Sequence, residues 1–320
     1  MMRILLTGGA GFIGSHVAEK LLQEGHEVCI LDDLNDFYSP KLKRANLEAI
    51  RAVGQARVEV LDICEEEKVD RLCDDFRPQA VIHLAARAGV RPSLRDPLLY
   101  EAVNVRGTLI LLEACRRFAV AKFVFASSSS AYGIANRLPF NENDCANLPV
   151  SPYAATKLAG EKLCYTYSHL YGIEAICLRF FTVYGPRQRP DLAIRKFTEQ
   201  IYRGGPIEVF GDGLSSRDYT FYADITQGVL AALAFHCQYE IVNLGNSCPI
   251  ELRTVIQTIE HILGKSAIIH TLPPQPGDVP TTYADISKAQ RLLRYSPGTP
   301  FTQGVRSFVE WYLPRASIAL

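Results

Sequence analysis

The sequence predicts an α/β fold: a doubly wound parallel sheet followed by a smaller C-terminal domain. Three observations carry this expectation. Residues 1–130 alternate short apolar runs with stretches of helical period. A glycine-rich turn joins the first run to the first helix. After residue 185, prolines and glycines divide the chain into shorter segments.

Arg3–Thr7 is an apolar run ending at glycine and reads as the first strand. Phe12–Gln23 carries apolar residues at 13, 17, 21 and 22, a helical period that Gly25 stops. Residues 27–31, 57–61, 80–84 and 122–126 read as the next four strands, with helical stretches such as 103–118 between them. Alternation of this kind with apolar strands predicts helices on both sheet faces. The stretch 34–55 is long for a connection; Ser39-Pro40 and the helical pattern through Ala52 predict an inserted helix. The expected division is 1–178 and 179–320, with a return segment near 219–246 in which 240–244 rejoins the main sheet. Residues 305–313, with Trp311 and Tyr312, predict a helix packed on the body and stopped by Pro314.

Composition narrows the partners. Apolar residues are 48% and charged residues 21%, which excludes disorder. Thirty-four Lys and Arg balance thirty-four Asp and Glu, so no basic field remains for nucleic acid or an anionic membrane. No uncharged apolar run reaches eighteen residues, and the opening seven residues are too short for a signal peptide. Nine cysteines lie singly, with no Cys-x-x-Cys pair. That pattern predicts reduced thiols in a cytoplasmic protein, with neither a disulfide framework nor a metal site.

The first chemical signal is Thr7-Gly8-Gly9-Ala10-Gly11-Phe12-Ile13-Gly14. It follows a strand and opens a helix, the context a dinucleotide fingerprint requires. Glycines let the backbone approach a pyrophosphate, and the helix start offers it free N–H groups and partial positive charge. A Rossmann-type sheet is the fold this implies. Asp32 lies eighteen residues beyond Gly14, at the end of the second strand, where a carboxylate accepts ribose hydroxyls. Asp33 follows, and no cation occurs before Lys41, so a 2′-phosphate would face two negative charges and NAD is expected rather than NADP. Asp62 and Ile63, after the third strand, are placed to meet the adenine.

The second signal is Tyr153-Ala154-Ala155-Thr156-Lys157. On a helix, positions i and i+4 share a face. A tyrosine titrates near ~10, and a neighbouring ammonium and a positive nicotinamide ring are expected to lower that toward a neutral-pH base. Upstream lies Phe125-Ala126-Ser127-Ser128-Ser129-Ser130-Ala131-Tyr132-Gly133, where a hydroxyl could share the proton of a substrate alcohol. His83, within an apolar strand, reads as a satisfied core histidine.

With these motifs together, nearly the whole chain resembles the extended short-chain dehydrogenase/reductase family. By motif position the resemblance implies a catalytic triad of Ser128, Tyr153 and Lys157. It implies NAD held by Gly8, Gly11, Phe12, Ile13, Gly14, Asp32, Asp62, Ile63, Ala85, Ala86 and Asn104, together with Tyr153 and Lys157. It also implies a nucleotide-sugar substrate. Arg217 matches a diphosphate-binding arginine, Phe210 the residue packing on uracil and Asp278 a contact to the uridine ribose. Dehydratases of the family carry an Asp-Glu pair near the fifth-strand loop, where Ser129 and Ser130 stand here. The segments 179–191 and 275–280, Ala88-Gly89-Val90-Arg91 and residues 33–38 resemble the UDP-glucuronate 4-epimerase branch.

A uronate carboxylate needs donors near the sugar. Ser129, Ser130 and Thr182 are small hydroxyls there, and Arg189 and Arg91 are candidate cations. Arg187 and Arg189 could equally contact the diphosphate or form a surface pair, since arginine favours either anion. The expected reaction is C4 epimerisation through a transient 4-keto sugar. The alternatives are a UDP-glucose/UDP-galactose 4-epimerase, a UDP-glucuronate decarboxylase and, more remotely, a non-catalytic NAD-sensing module. Helices near 103–118 and 153–171 resemble those pairing in family homodimers, with Leu109, Leu112 and Leu163 as candidate interface positions.

Overall fold

The computed structural model describes residues 1–134, 137–144, 148–273 and 279–316. The first half runs β1 (Arg3–Thr7), α1 (Phe12–Gln23), β2 (Glu27–Asp32), α2 (Pro40–Val53), β3 (Arg57–Val60), α3 (Glu66–Phe76) and β4 (Ala80–His83). It continues through α4 (Val90–Arg95), α5 (Pro97–Glu101), α6 (Gly107–Arg117), β5 (Lys122–Ser128) and α7 (Pro152–Tyr171). Then come β6 (Glu174–Phe180), β7 (Thr182–Tyr184), α8 (Ala193–Arg203), β8 (Pro206–Phe210), β9 (Ser216–Phe221) and α9 (Tyr222–Ala234). The chain proceeds to β10 (Tyr239–Leu244), β11 (Pro249–Glu251), α10 (Leu252–Leu263), β12 (Ile268–Leu272), α11 (Ser287–Leu293) and α12 (Phe301–Tyr312).

Seven strands form one parallel sheet in the order β10-β6-β5-β4-β1-β2-β3. Alternate residues serve opposite faces. Ile4, Leu6, Ile30, Ile82 and Val124 pack with α1, α2, α9 and α11 on one side. Leu5, Cys29, Val81 and Phe123 pack with α3, α6 and α7 on the other. Both faces being covered, the central strands read as continuous apolar runs. The chain winds outward from β1 to β3, then returns to β4, so the order reverses between β1 and β4. A crevice opens beyond the carboxyl ends of the strands at such a reversal.

The inserted helix is α2, and β10 pairs with β6 at the edge of the main sheet. A third core cluster, with Tyr184, Phe197, Ile207, Phe221, Ile259 and Phe308, unites α8, α10 and α12 with β7, β8 and β9. The expected helix from 103 differs in its first turn: Ala102–Arg106 is a π-helical turn, with regular helix only from Gly107. That turn carries Asn104, and π turns concentrate at functional sites. No helix among the described residues is long and apolar enough to cross a membrane. Of the candidate interface residues, Leu109 is exposed, Leu163 packs against the second core cluster and Leu112 is wholly buried in it. Leu112 therefore serves the core.

His83 is buried and bonded on both ring nitrogens. Thr108 donates its hydroxyl to the Asn104 carbonyl (2.6 Å), so it accepts from His83 Nε2 (2.9 Å), and His83 Nδ1 accepts from the Thr7 hydroxyl (2.7 Å). Burial holds the imidazole neutral, with its pKa lowered to about 3. Between that value and 6.5 only the unfolded chain binds the proton, so stability falls as pH falls. Its share between pH 7 and 5 is about 2 kcal/mol. Urea unfolding should show His83→Gln losing that much of the wild-type pH dependence.

Candidate active site

β1 delivers the chain into the glycine turn at the reversal point. Gly8 holds φ +71°, and a Cβ there would stand 2.7 Å from the Ala85 backbone nitrogen. A Cβ at Gly14 would stand 2.1 Å from the Gly8 carbonyl oxygen. Gly11 begins α1 with no side-chain cap and no acidic residue in the first turn, leaving backbone donors and partial positive charge facing outward. A cavity of about 370 Å³ lies against this turn. Gly8, Gly11, Phe12, Ile13 and Gly14 form its floor, Asp32, Asp62 and Ile63 one end, and Ala85 and Ala86 its middle. Ser128, Ser129, Ser130, Tyr153, Lys157, Thr182 and Arg189 line the rest.

At the first end, Asp32 accepts from the N–H groups of Ala10 (3.1 Å) and Leu34 (3.0 Å). Burial raises its carboxyl pKa, and Lys43 opposes that shift. The expectation of two unopposed carboxylates needs correction. Lys43 Nζ lies 3.7 Å from Asp32 and 3.8 Å from Asp33, and Arg87 lies 4.0 Å from Asp33. Selection against a 2′-phosphate therefore cannot rest on bare repulsion. Asp32 itself is an acceptor held in place by those two backbone donors. Asp62 accepts from the Cys64 N–H (2.9 Å), which fixes its carboxylate at the cavity wall.

At the second end, α7 starts cleanly. Ser151 accepts from the Ala154 N–H (3.1 Å) and Pro152 occupies the first turn. Tyr153, Lys157 and Glu161 then share one face. Lys157 Nζ donates to the Ala126 carbonyl (2.7 Å) and lies 6.0 Å from the Tyr153 ring centre. Burial lowers the Lys157 pKa to about 8. Tyr153 departs from expectation: burial raises its pKa, and the opposing influences are the Ser128 hydrogen bond and the Arg189 charge. The ammonium is engaged with the Ala126 carbonyl rather than with the phenol oxygen. Ser127 donates to Glu161 (2.5 Å), while Ser128 accepts from the Ser130 N–H (3.1 Å), so adjacent serines have different partners.

Asn104, Arg91, Phe210 and Arg217 are not among the residues that line this cavity. Asn104 is buried; its amide bonds Arg87 N–H (2.8 Å), the Arg87 carbonyl (2.9 Å) and Thr156 (3.0 Å). It therefore acts on the cavity through the 84–89 loop. The Arg91 guanidinium stacks over the Phe210 ring at 4.5 Å. Arg217 donates to the carbonyls of Ser216 (2.9 Å) and Pro280 (3.2 Å). Asp278 lies outside the described residues. Arg189 forms two bonds to Asp191 (3.0 and 2.8 Å), so a sugar carboxylate would compete with Asp191 for it. Arg187 pairs with Glu19 of α1 at 2.6 Å.

Lys43 and Arg87 line the cavity without belonging to any motif. Lys43 had a signal: it shares the buried face of α2 with Leu42, Asn46, Leu47 and Ile50, where an unpaired lysine would be costly. Arg87 had none, because its place depends on Asn104.

Residues 4–245 match the NAD dependent epimerase/dehydratase family. The chain is 44% identical over 308 residues to a UDP-glucuronate 4-epimerase of Thermodesulfobacterium geofontis, covering 96% of this chain and 95% of that one. It also resembles the crystal structure of a UDP-glucuronic acid 4-epimerase from Bacillus cereus in complex with UDP-glucuronic acid and NAD. That likeness has TM-score 0.91 and 37% identity, over 97% and 98% of the two chains. A UDP-glucose 4-epimerase from Thermotoga maritima with UDP-glucose aligns with TM-score 0.90 and 33% identity, over 97% and 98%.

Proposed function

Because the chain belongs to the NAD dependent epimerase/dehydratase family, we propose that it interconverts UDP-glucuronate and UDP-galacturonate by NAD-dependent epimerisation at C4. One observation carries the reading: a single cavity joins a glycine turn and a ribose-type carboxylate to a serine, a tyrosine and a lysine. The residues fit NAD. The turn is closed to any side chain at Gly8 and Gly14, and the start of α1 faces the same space. Gly11, Phe12, Ile13 and Gly14 would hold the pyrophosphate, Asp32 the ribose, and Ala85 and Ala86 leave room beside them. When bound, NAD supplies an acceptor that takes a hydride and returns it, so no net redox change is needed.

Tyr153 as phenolate removes the C4 hydroxyl proton, with Ser128 bonded to both oxygens, and later returns it. Arg189 places positive charge near that phenolate, Lys157 stands 6.0 Å from its ring centre on the Ala126 carbonyl, and burial excludes water that would compete for the proton. A 4-keto uronate is a β-keto acid, so its carboxylate must be kept from aligning its C–C bond with the ketone. Ser129, Ser130 and Thr182 are the hydroxyls that would hold it, with Arg189 contributing if Asp191 yields. The Arg189–Asp191 pair also favours a second reading, since a neutralised arginine suits an uncharged hexose and hence UDP-glucose epimerisation.

Proton NMR of the purified protein with UDP-glucuronate, and separately with UDP-glucose, tests the proposal. A UDP-galacturonate signal at constant total uronate supports it, UDP-pentose with CO₂ makes the protein a decarboxylase, and conversion of UDP-glucose alone selects the second reading. Gly14→Ala should leave the purified protein without bound nucleotide, read as lost absorbance at 260 nm, because its Cβ collides with backbone. We also propose a homodimer through α6 and α7, where Leu109 and Tyr165 are exposed. Light scattering should give twice the chain mass.

A further inference from the structure

We propose that Arg87 and Asp33 form an ionic strap over the cofactor crevice that slows the departure of NAD. The inference rests on the NAD reading above and goes beyond it. Asp33 follows β2 and Arg87 follows β4, the two strands that flank β1. The carboxyl ends of β2 and β4 are two strand spacings apart, roughly 10 Å. A contact between them must pass across the end of β1, where the glycine turn lies. Arg87 Nη2 and Asp33 Oδ2 are 4.0 Å apart, and both residues line the cavity.

Both ends of this contact are fixed from behind. Asn104 holds the Arg87 backbone at its N–H and its carbonyl, and Tyr100 donates to the next carbonyl, Ala88 (2.9 Å). The guanidinium therefore starts from a rigid anchor. Asp33 Oδ1 accepts from Asn35 N–H (3.1 Å) and from its amide (2.5 Å), and faces Lys43 at 3.8 Å. Oδ2 is the oxygen turned to Arg87. With Asp32 and Lys43, the pair makes a cluster of two carboxylates and two cations, neutral overall. Holding the strap closed therefore builds up no net charge against the pyrophosphate. A ligand on the glycine turn leaves only after the pair separates, whereas the backbone frame need not move. The strap would thereby keep the cofactor in place between turnovers without covalent attachment.

The test is exchange of bound NAD for excess isotopically labelled NAD in the purified holoenzyme, followed by mass spectrometry after gel filtration. Arg87→Ala and Asp33→Asn should each exchange about fivefold faster than wild type, the scale of one partly exposed ion pair. Asn at 33 keeps the Oδ1 acceptor, so the turn to Asn35 survives. The double variant should be no faster than either single one, because each removes the same contact. High salt should speed wild-type exchange and leave the variants unchanged. Exchange within twofold of wild type in either single variant, or additive acceleration in the double, overturns the strap. Wild-type protein that neither carries nor takes up NAD overturns the NAD reading instead.

Discussion

Tyr153→Phe should lower kcat by about 10²–10⁴-fold, the usual contribution of a positioned proton-transfer group. KM for the UDP-sugar should change little. The phenyl ring keeps the buried volume and the edge contact with Tyr100, whose ring centre is 6.2 Å away. Only the oxygen that bonds Ser128 is lost. Steady-state kinetics beside a melting curve separates the cases. Wild-type activity in the variant would remove the tyrosine from the proton path. Because burial raises the Tyr153 pKa, wild-type kcat should climb with pH as the phenolate forms.

Glu161→Leu should destabilise the fold by about 3–5 kcal/mol, because it strands a buried guanidinium. Glu161 and Arg179 are buried and joined by two bonds of 2.8 Å, and Arg179 Nη1 has no hydrogen-bond partner among the described residues. The Arg179 guanidinium also stacks on Tyr132 at 4.4 Å. Replacing both partners, as Glu161→Leu with Arg179→Met, should recover most of the loss. Urea midpoints measure both variants. The pair matters beyond stability, since Glu161 also accepts from Ser127 and so ties β5 to α7 directly beneath Ser128. The stable double variant should therefore still show a reduced kcat.

Much of this was legible in the sequence where function depends on local pattern. The strand, glycine turn and helix of β1 and α1 are written in contiguous residues, and so is the i, i+4 relation of Tyr153 and Lys157. Their meeting in one cavity follows from the sheet order, whereas the alternation of strands and helices implied only a parallel sheet. What sequence could not give depends on tertiary contact. The expected lowering of the Tyr153 pKa presumed an ammonium beside the phenol; a carbonyl at the end of β5 claims Lys157 instead. The view of Asp32 and Asp33 as unopposed considered only neighbours along the chain, while Lys43 arrives from α2 and Arg87 from beyond β4. Asn104 was expected at the cofactor, but a π turn directs its amide to the Arg87 backbone. Arg189 was one candidate cation for the sugar carboxylate, with a surface pair left open, and a carboxylate two residues on already holds it.

The most direct test of the central claim uses UDP-glucuronate carrying deuterium at C4, with the purified protein and no added NAD. Transient oxidation and return of the same hydride predicts UDP-galacturonate in which deuterium remains at C4, with none lost to water. Loss of the label to solvent, or release of CO₂ with a UDP-pentose, would contradict it.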